Sequence, residues 1–343
     1  MSKNIDSISE FLLHAGTDYR VFDMGRGIRE IPSQQFLEIE NGTRPAPYPR
    51  QQHQWTGITY WNQQLSEQRY IWFLKLPLDE QGKVVDAARR HFLELVVTAL
   101  AESKQDVSQS LESTSKVHDN PYIFTPTQQQ LADFNALSRR ACGLPTGKDF
   151  AVSKQYLDTP HLLDWQKISV QGLSDCVHFG SNADWFNWLD NFSHKYPAPV
   201  QKHLLSGLEN KPIDNQLANH IAELFSPEAG DTEFNLWCLR SLAQAEIAAP
   251  RVKVVTSLLS QEHVSQDTLI VIAGRHWSLL QEERLMMFLE HAAKASNSPD
   301  FFIGLFADLA QIPDIRTQVL AAIRNPKRSE RLSTAIGWLF SQS

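Results

Sequence analysis

Apolar residues recur at Ile5, Ile8, Phe11, Leu12 and Ala15, a helical spacing that Gly16 closes in the position of a left-handed cap. Next, Tyr19-Arg20-Val21-Phe22 and Ile28-Arg29-Glu30-Ile31 flank Met24-Gly25-Arg26-Gly27. Those glycines supply the positive φ of a tight strand reversal, so the pattern predicts a β-hairpin. Ser33 is placed to cap a short helix through Phe36, Leu37 and Ile39, which Gly42 ends before an extended Arg44-Pro45-Ala46-Pro47-Tyr48-Pro49. Trp55 to Trp61 and Tyr70 to Leu76 are rich in aromatic and β-branched residues and predict two further strands. Asp79 is the expected cap of a long helix carrying Val84, Val85, Ala88, Phe92, Leu95, Val96, Ala99 and Leu100 at helical period. The sum is an α+β unit over residues 1–103, a small antiparallel sheet with helices.

Residues 104–120 bring several serines among charges with no sustained apolar period, the pattern of a flexible connection and the best domain boundary in the chain. Thr125-Pro126-Thr127-Gln128 has the form of a capping box, with Thr125 as cap and Gln128 three residues on, opening a helix through Leu131, Phe134, Leu137 and Ala141 that Gly143 ends. From Trp165 onward the apolar stripes keep helical period, as in Trp185, Trp188, Leu189 and Phe192 or Leu285, Phe288, Leu289 and Ala292. Prolines at 199, 212, 227, 250, 299, 313 and 326 cut them into helix-length pieces. Residues 121–343 therefore read as an all-α array. Stacked antiparallel pairs would give a HEAT-like, solenoid-like domain, with a closed helical bundle as the alternative, since no fixed repeat consensus is present.

Composition narrows the function classes. With 343 residues, 42% hydrophobic and 21% charged, the chain has ample core-forming material and lies outside the disordered regime. A formal net charge of -7 argues against a surface that acts as a whole as a counterion for nucleic acid or anionic lipid. Cys142, Cys176 and Cys238 are odd in number and widely spaced, forming neither a disulfide framework nor a CxxC motif, which fits a reducing compartment. The apolar run near the amino terminus is only Phe11-Leu12-Leu13, too short for a signal-peptide core, and no stretch reaches membrane-helix length. A cytoplasmic location without membrane insertion is the expectation.

Few motifs carry chemistry. Gly143-Leu144-Pro145-Thr146-Gly147-Lys148-Asp149 has one residue too few between its glycines for a P-loop, and Asp149 stands where a magnesium-ligating hydroxyl is needed, so it reads as a turn. His91 with Glu94, and His220 with Glu223, share helical faces but reverse the Glu-x-x-His order of helical di-iron sites. Cys142 falls at a predicted helix carboxyl terminus, where the macrodipole disfavours a thiolate, and the other two cysteines lie among apolar positions. No catalytic residue, metal or cofactor is assigned.

Charge is more informative. Arg20, Arg26, Arg29, Arg44 and Arg50 interleave with Trp55, Tyr60, Trp61, Tyr70 and Trp72, the residue types of a single-stranded nucleic-acid platform, although acids nearly balance bases between Thr17 and Leu76. From Glu209 to Glu246 acids outnumber bases, the only bases being Lys211 and Arg240. From Ile315 onward Arg316, Arg324, Lys327, Arg328 and Arg331 face only Glu330. The candidate partner-binding residues are thus Arg26, Arg29, Arg44, Arg50 and Lys75 in the first unit and Arg324, Lys327, Arg328 and Arg331 at the end.

Tyr19-Arg20-Val21-Phe22-Asp23-Met24-Gly25-Arg26, the Arg44 to Pro49 stretch and Tyr70-Ile71-Trp72-Phe73-Leu74-Lys75-Leu76-Pro77-Leu78-Asp79-Glu80-Gln81-Gly82 resemble an uncharacterised gammaproteobacterial family, a domain of unknown function of about this length. The resemblance runs the whole chain and implies a bacterial cytoplasmic protein without assigning a catalytic residue. Architecture and sparse chemistry together lead to a non-enzymatic protein-binding adaptor or regulator with an unidentified protein partner. An RNA or ribosome-associated factor, and an enzyme with its site at the domain junction, are the alternatives.

Overall fold

A computed structural model describes residues 6–62, 64, 68–105, 120–190, 192–229, 232–296 and 298–341. The chain divides into two compact units, Met1–Pro126 with Gln311–Pro313, and Thr127–Ala310 with Asp314–Ser343.

In the first unit, helix α1 (Ile8–His14) is capped by Ser7, whose side chain accepts from the Glu10 amide, and Gly16 follows at φ +69. Strands β1 (Asp18–Asp23) and β2 (Arg29–Ile31) form the expected hairpin, pairing Val21 with Ile31 and Asp23 with Arg29. Helix α2 (Ser33–Glu40) precedes β3 (His53–Trp61) and β4 (Arg69–Pro77), and the sheet is antiparallel throughout in the order β2-β1-β3-β4. Ser33 is the first helical residue rather than the cap, because the turn enters through Pro32, whose φ of -55 is preset for it.

Asp79 is also reassigned. Its carboxylate accepts from the amides of Gln81 and Lys83 and closes a turn that Gly82 completes at φ +77, while Val84 bridges back to Leu78. The long helix α3 begins only at Asp86 and runs to Gln105. Alternation places Val21, Ile58, Trp72, Leu74 and Leu76 on one sheet face, where Ile8 and Leu12 of α1, Phe36 and Ile39 of α2, and Phe92 and Leu93 of α3 complete the core. Residues 120–126 belong with this unit: Ile123 bridges Leu74, and the Lys75 amide donates to Tyr122. Most of the connection expected over 104–120, residues 106–119, lies outside the described residues.

The second unit is helical. In order it contains α4 (Gln128–Ala141), α5 (Phe150–Asp158), α6 (Val170–Phe179), α7 (Asn182–Asp190), α8 (Phe192–Lys195), α9 (Ala198–Leu208) and α10 (Asn215–Leu224). Then follow α11 (Glu233–Ser241), α12 (Ala248–Leu259), α13 (Gln266–Arg275), α14 (Glu282–Ala295), α15 (Pro299–Ala310), α16 (Arg316–Ala322) and α17 (Glu330–Ser341). The capping box is present but two residues later than expected. Thr127 accepts from the Gln130 amide and Gln130 accepts from Thr127, because the reciprocal bonds need an acceptor able to fold back, and Gln130 provides it at α4. The first helices cluster about α6, which packs against α4, α5 and α9, and from α9 onward contacts run in two rows, α9, α11, α13, α15 and α17 in one and α10, α12, α14 and α16 in the other. Trp185 and Trp188 of α7, Tyr156 of α5, Phe192 of α8 and Phe288 of α14 are fully buried.

Candidate functional site

The basic residues singled out from the sequence fare differently. Arg26 is buried, 1% exposed, and donates through Nε to the Pro49 carbonyl, so it leaves the candidate surface. Arg29 lies over the Tyr48 ring at 4.7 Å and Arg50 over Trp55 at 5.3 Å, so of the aromatics named for base stacking Trp55 already carries a guanidinium group of its own unit. Arg44 is exposed beside Glu38 at 3.5 Å, and Lys75 is half-buried on β4. Near the carboxyl terminus Arg328 donates to Ser333 and the Ile323 carbonyl, and Arg331 to the carbonyls of Ala293 and Lys294, where both tie helix ends. Arg324 and Lys327 remain exposed.

Other motifs resolve into structure. Gly143 ends α4 at φ +65. Gly147 is pressed against Asp175, whose Oδ2 accepts its amide at 2.9 Å and would sit 2.4 Å from an added Cβ. Cys142 caps α4, and burial pushes the thiols of Cys176 and Cys238 upward, the latter to about 12, away from reactivity. His91 meets the Tyr122 hydroxyl at 3.1 Å, and His220 contacts the Phe186 ring edge-on. Among the described residues no group of three or more histidine, cysteine or acidic side chains is placed to hold a metal ion.

A polar hub absent from the sequence reading lies inside the second unit. Asp133, on the inner face of α4, accepts from Ser174 at 2.8 Å and His178 at 3.3 Å through Oδ1, and from Gln129 at 3.0 Å and Asn210 at 3.2 Å through Oδ2. His203 on α9 reaches Ser174 at 3.0 Å. Burial opposes the charge on Asp133, but the bonds from His178, Gln129 and Ser174 outweigh it and hold the carboxyl below the usual carboxylate range. Burial lowers His203 to about 4, so it is neutral at pH 7.

This group has the composition of a Ser-His-Asp triad without its order. A triad places the imidazole between serine and carboxylate. Here the Ser174 hydroxyl stands between Asp133 and His203, its single proton directed at the carboxylate, and Ser174 is 0% exposed. The arrangement locks α4, α6 and α9 together instead of activating a nucleophile.

A second buried cluster follows. Glu209, at the end of α9, accepts two bonds from Arg240 of α11, both at 2.9 Å, and two from Arg275 of α13 at 3.0 and 3.3 Å. Against the burial penalty, the two guanidinium charges bring its carboxyl down to about 2. Lys211 donates to the carbonyls of Val177 and Gly180, and burial together with the charge of Arg140 lowers it to about 8. Both bases of the acidic middle stretch are therefore turned toward the protein's own groups.

An open concavity of this unit runs along α14. A cleft of about 780 Å³ has Leu259, Met286 and Met287 as its apolar floor and Glu282, Glu283 and Glu290 along its rim, with His291, Asn325 and Lys327 at its far end. A neighbouring cleft of about 400 Å³ shares Glu282, Glu283 and Met287 and adds Thr256, Ser260, Gln281 and Arg284, whose Nε donates to the Leu279 carbonyl. Leu285, Phe288, Leu289 and Ala292 bury the opposite face of α14, leaving the methionines half-buried. Neither Glu282 nor Glu283 has an ion-pair partner among the described residues, whereas Glu290 accepts from the Ser329 amide and hydroxyl. The sequence does hold a signal: Met286 and Met287 are adjacent apolar residues lying off the Leu285, Phe288, Leu289 stripe, and one helix face cannot bury all five.

Among protein-family models, the one described as "Protein of unknown function (DUF3549)" matches residues 3–340. No curated protein and no solved structure matches the chain.

Proposed function

We propose, for a chain that belongs to the family described as "Protein of unknown function (DUF3549)" over residues 3–340, a non-enzymatic role as a protein-binding adaptor or regulator in the bacterial cytoplasm. Its helical unit, read as a solenoid-like array, carries the recognition surface. One observation carries this reading. Asp133, His203 and Glu209, three buried ionisable groups of the helical unit, are held in ties between helices, whereas the surface along α14 has a methionine-floored cleft at which Glu282 and Glu283 have no ion-pair partner among the described residues. Methionine is the side chain of adaptable binding surfaces, because its thioether packs against varied shapes. The cysteines are free, which fits a reducing compartment, and among the described residues no helix is long and apolar enough to cross a membrane.

The test is quantitative mass spectrometry of what co-purifies with the tagged full chain at endogenous level from its native host, with nuclease treatment. A stoichiometric protein partner that survives nuclease is the expected result. A purification empty of such a partner, or one whose partner is lost with nuclease, overturns the reading.

A further inference from the structure

We infer that the cleft along α14 is the docking site of a basic amphipathic helix from a partner protein, an inference that rests on the adaptor reading and specifies its ligand. Charge complementarity gives the sign of the occupant. Glu282, Glu283 and Glu290 border the floor, and Lys327 is the basic residue lining its far end. Two of these carboxylates have no cation among the described residues, so an arriving Lys or Arg meets an acceptor that it need not take from another partner. The floor sets the rest. Met286, Met287 and Leu259 offer apolar surface flexible enough to receive Leu- or Phe-sized anchors.

Backbone chemistry selects a helix over an extended peptide. The walls belong to α12, α14 and the loop that carries Asn325 and Lys327, none of which is a strand, so no sheet edge lines the cleft to pair with an extended peptide. A helical occupant satisfies its own backbone and brings only side chains. From Glu282 to Glu290 the rim extends about 12 Å at 1.5 Å per residue, so it accommodates roughly two turns of a docked helix. Apolar anchors spaced i, i+3 or i+4, and i+7 would meet the methionine floor, with basic residues on both flanks reaching the rim.

The experiment uses full-length protein and a labelled peptide of about four helical turns, in which Leu and Lys follow that spacing. A scrambled peptide of the same composition is the reference. Fluorescence anisotropy is expected to give micromolar binding for the patterned peptide, roughly tenfold tighter than for the scrambled one. E282Q/E283Q, and separately M286Q/M287Q, are expected to weaken it by about five- to tenfold. E223Q/E228Q, an equal charge change on exposed residues away from the cleft, is expected to change it less than about twofold. Thermal melts confirm that each variant folds.

Equal binding of the two peptides, equal loss in E223Q/E228Q, or no binding at all overturns the inference. The same variants in the co-purification separate the two levels: a nuclease-resistant partner retained by both cleft variants overturns the docking site while leaving the adaptor reading standing. Absence of any partner with the unaltered chain overturns the adaptor reading.

Discussion

Replacing Asp133 tests whether the polar hub is what holds the first helices of the second unit. Asp133→Ala removes one acceptor and strands four donors, on Gln129, Ser174, His178 and Asn210, in a region where Asp133 is 1% exposed. A stranded buried donor costs about 1–3 kcal/mol, and the hydroxyl and the two amides recover part of that by rotating. Hydrogen bonds to a charged group are worth about 1.5–3 kcal/mol, and with four donors left without their acceptor we take about 3–5 kcal/mol as the expected loss.

Urea denaturation followed by circular dichroism would read this loss as a midpoint lowered by about 1–2 M, for a slope of about 2–3 kcal/mol/M. Asp133→Asn should be milder, because the amides of Gln129 and Asn210 can present their oxygens to the new amide nitrogen. Glu223→Ala, on the exposed face of α10, should stay within about 0.5 kcal/mol. If Asp133→Ala loses less than about 1 kcal/mol, the four bonds do not act as a lock and the argument from them is wrong.

Further outcomes follow from the same packing. Glu209→Gln leaves Arg240 and Arg275 facing each other without a charge between them and should cost about 3 kcal/mol near neutral pH. Because its folded pKa is lowered from 4.5 to about 2, the stabilisation from Glu209 is complete above 4.5 and fades as pH falls toward 2, so wild type and variant should converge there in denaturation midpoints. His203, lowered from 6.5 to about 4, contributes fully above 6.5 and progressively less as pH falls toward 4. His203→Gln should therefore flatten the stability profile over that window, by on the order of 1–3 kcal/mol. Asp23 slopes the other way, raised from 3.8 to about 7 by burial, but it is common to both proteins and cancels in their difference. Gly147→Ala sets a methyl 2.4 Å from Asp175 Oδ2 and should lower the melting temperature by several degrees, where Gly274→Ala, with nothing within 4 Å, should not.

The hairpin, both long strands and the α14 stripe were legible because each rests on local periodicity: Val21, Ile58 and Leu74 alternate, and Leu285, Phe288, Leu289 and Ala292 return every turn. Asp79 misled because a short acid before an apolar run serves a turn as well as a cap, and only the positive φ of Gly82 decides between them. The hub was illegible for a different reason. Its members come from positions 129, 133, 174, 178, 203 and 210, brought together by packing rather than spacing, and each alone looks like an ordinary polar residue on a helix. The arginine and aromatic pattern was visible, but not that Arg29 and Arg50 would lie on rings of their own unit.

The Glu209 cluster bears on how the helical unit comes apart. In an array whose members touch only their nearest neighbours, unfolding spreads one interface at a time and the ends fray independently. Glu209 sits at the end of α9 yet is gripped from α11 and from α13, so a single carboxylate couples three successive members of a row. Loosening α13 costs the bond that also steadies α9, and the middle of the helical unit should exchange its amide hydrogens as one cooperative block instead of as separable hairpins.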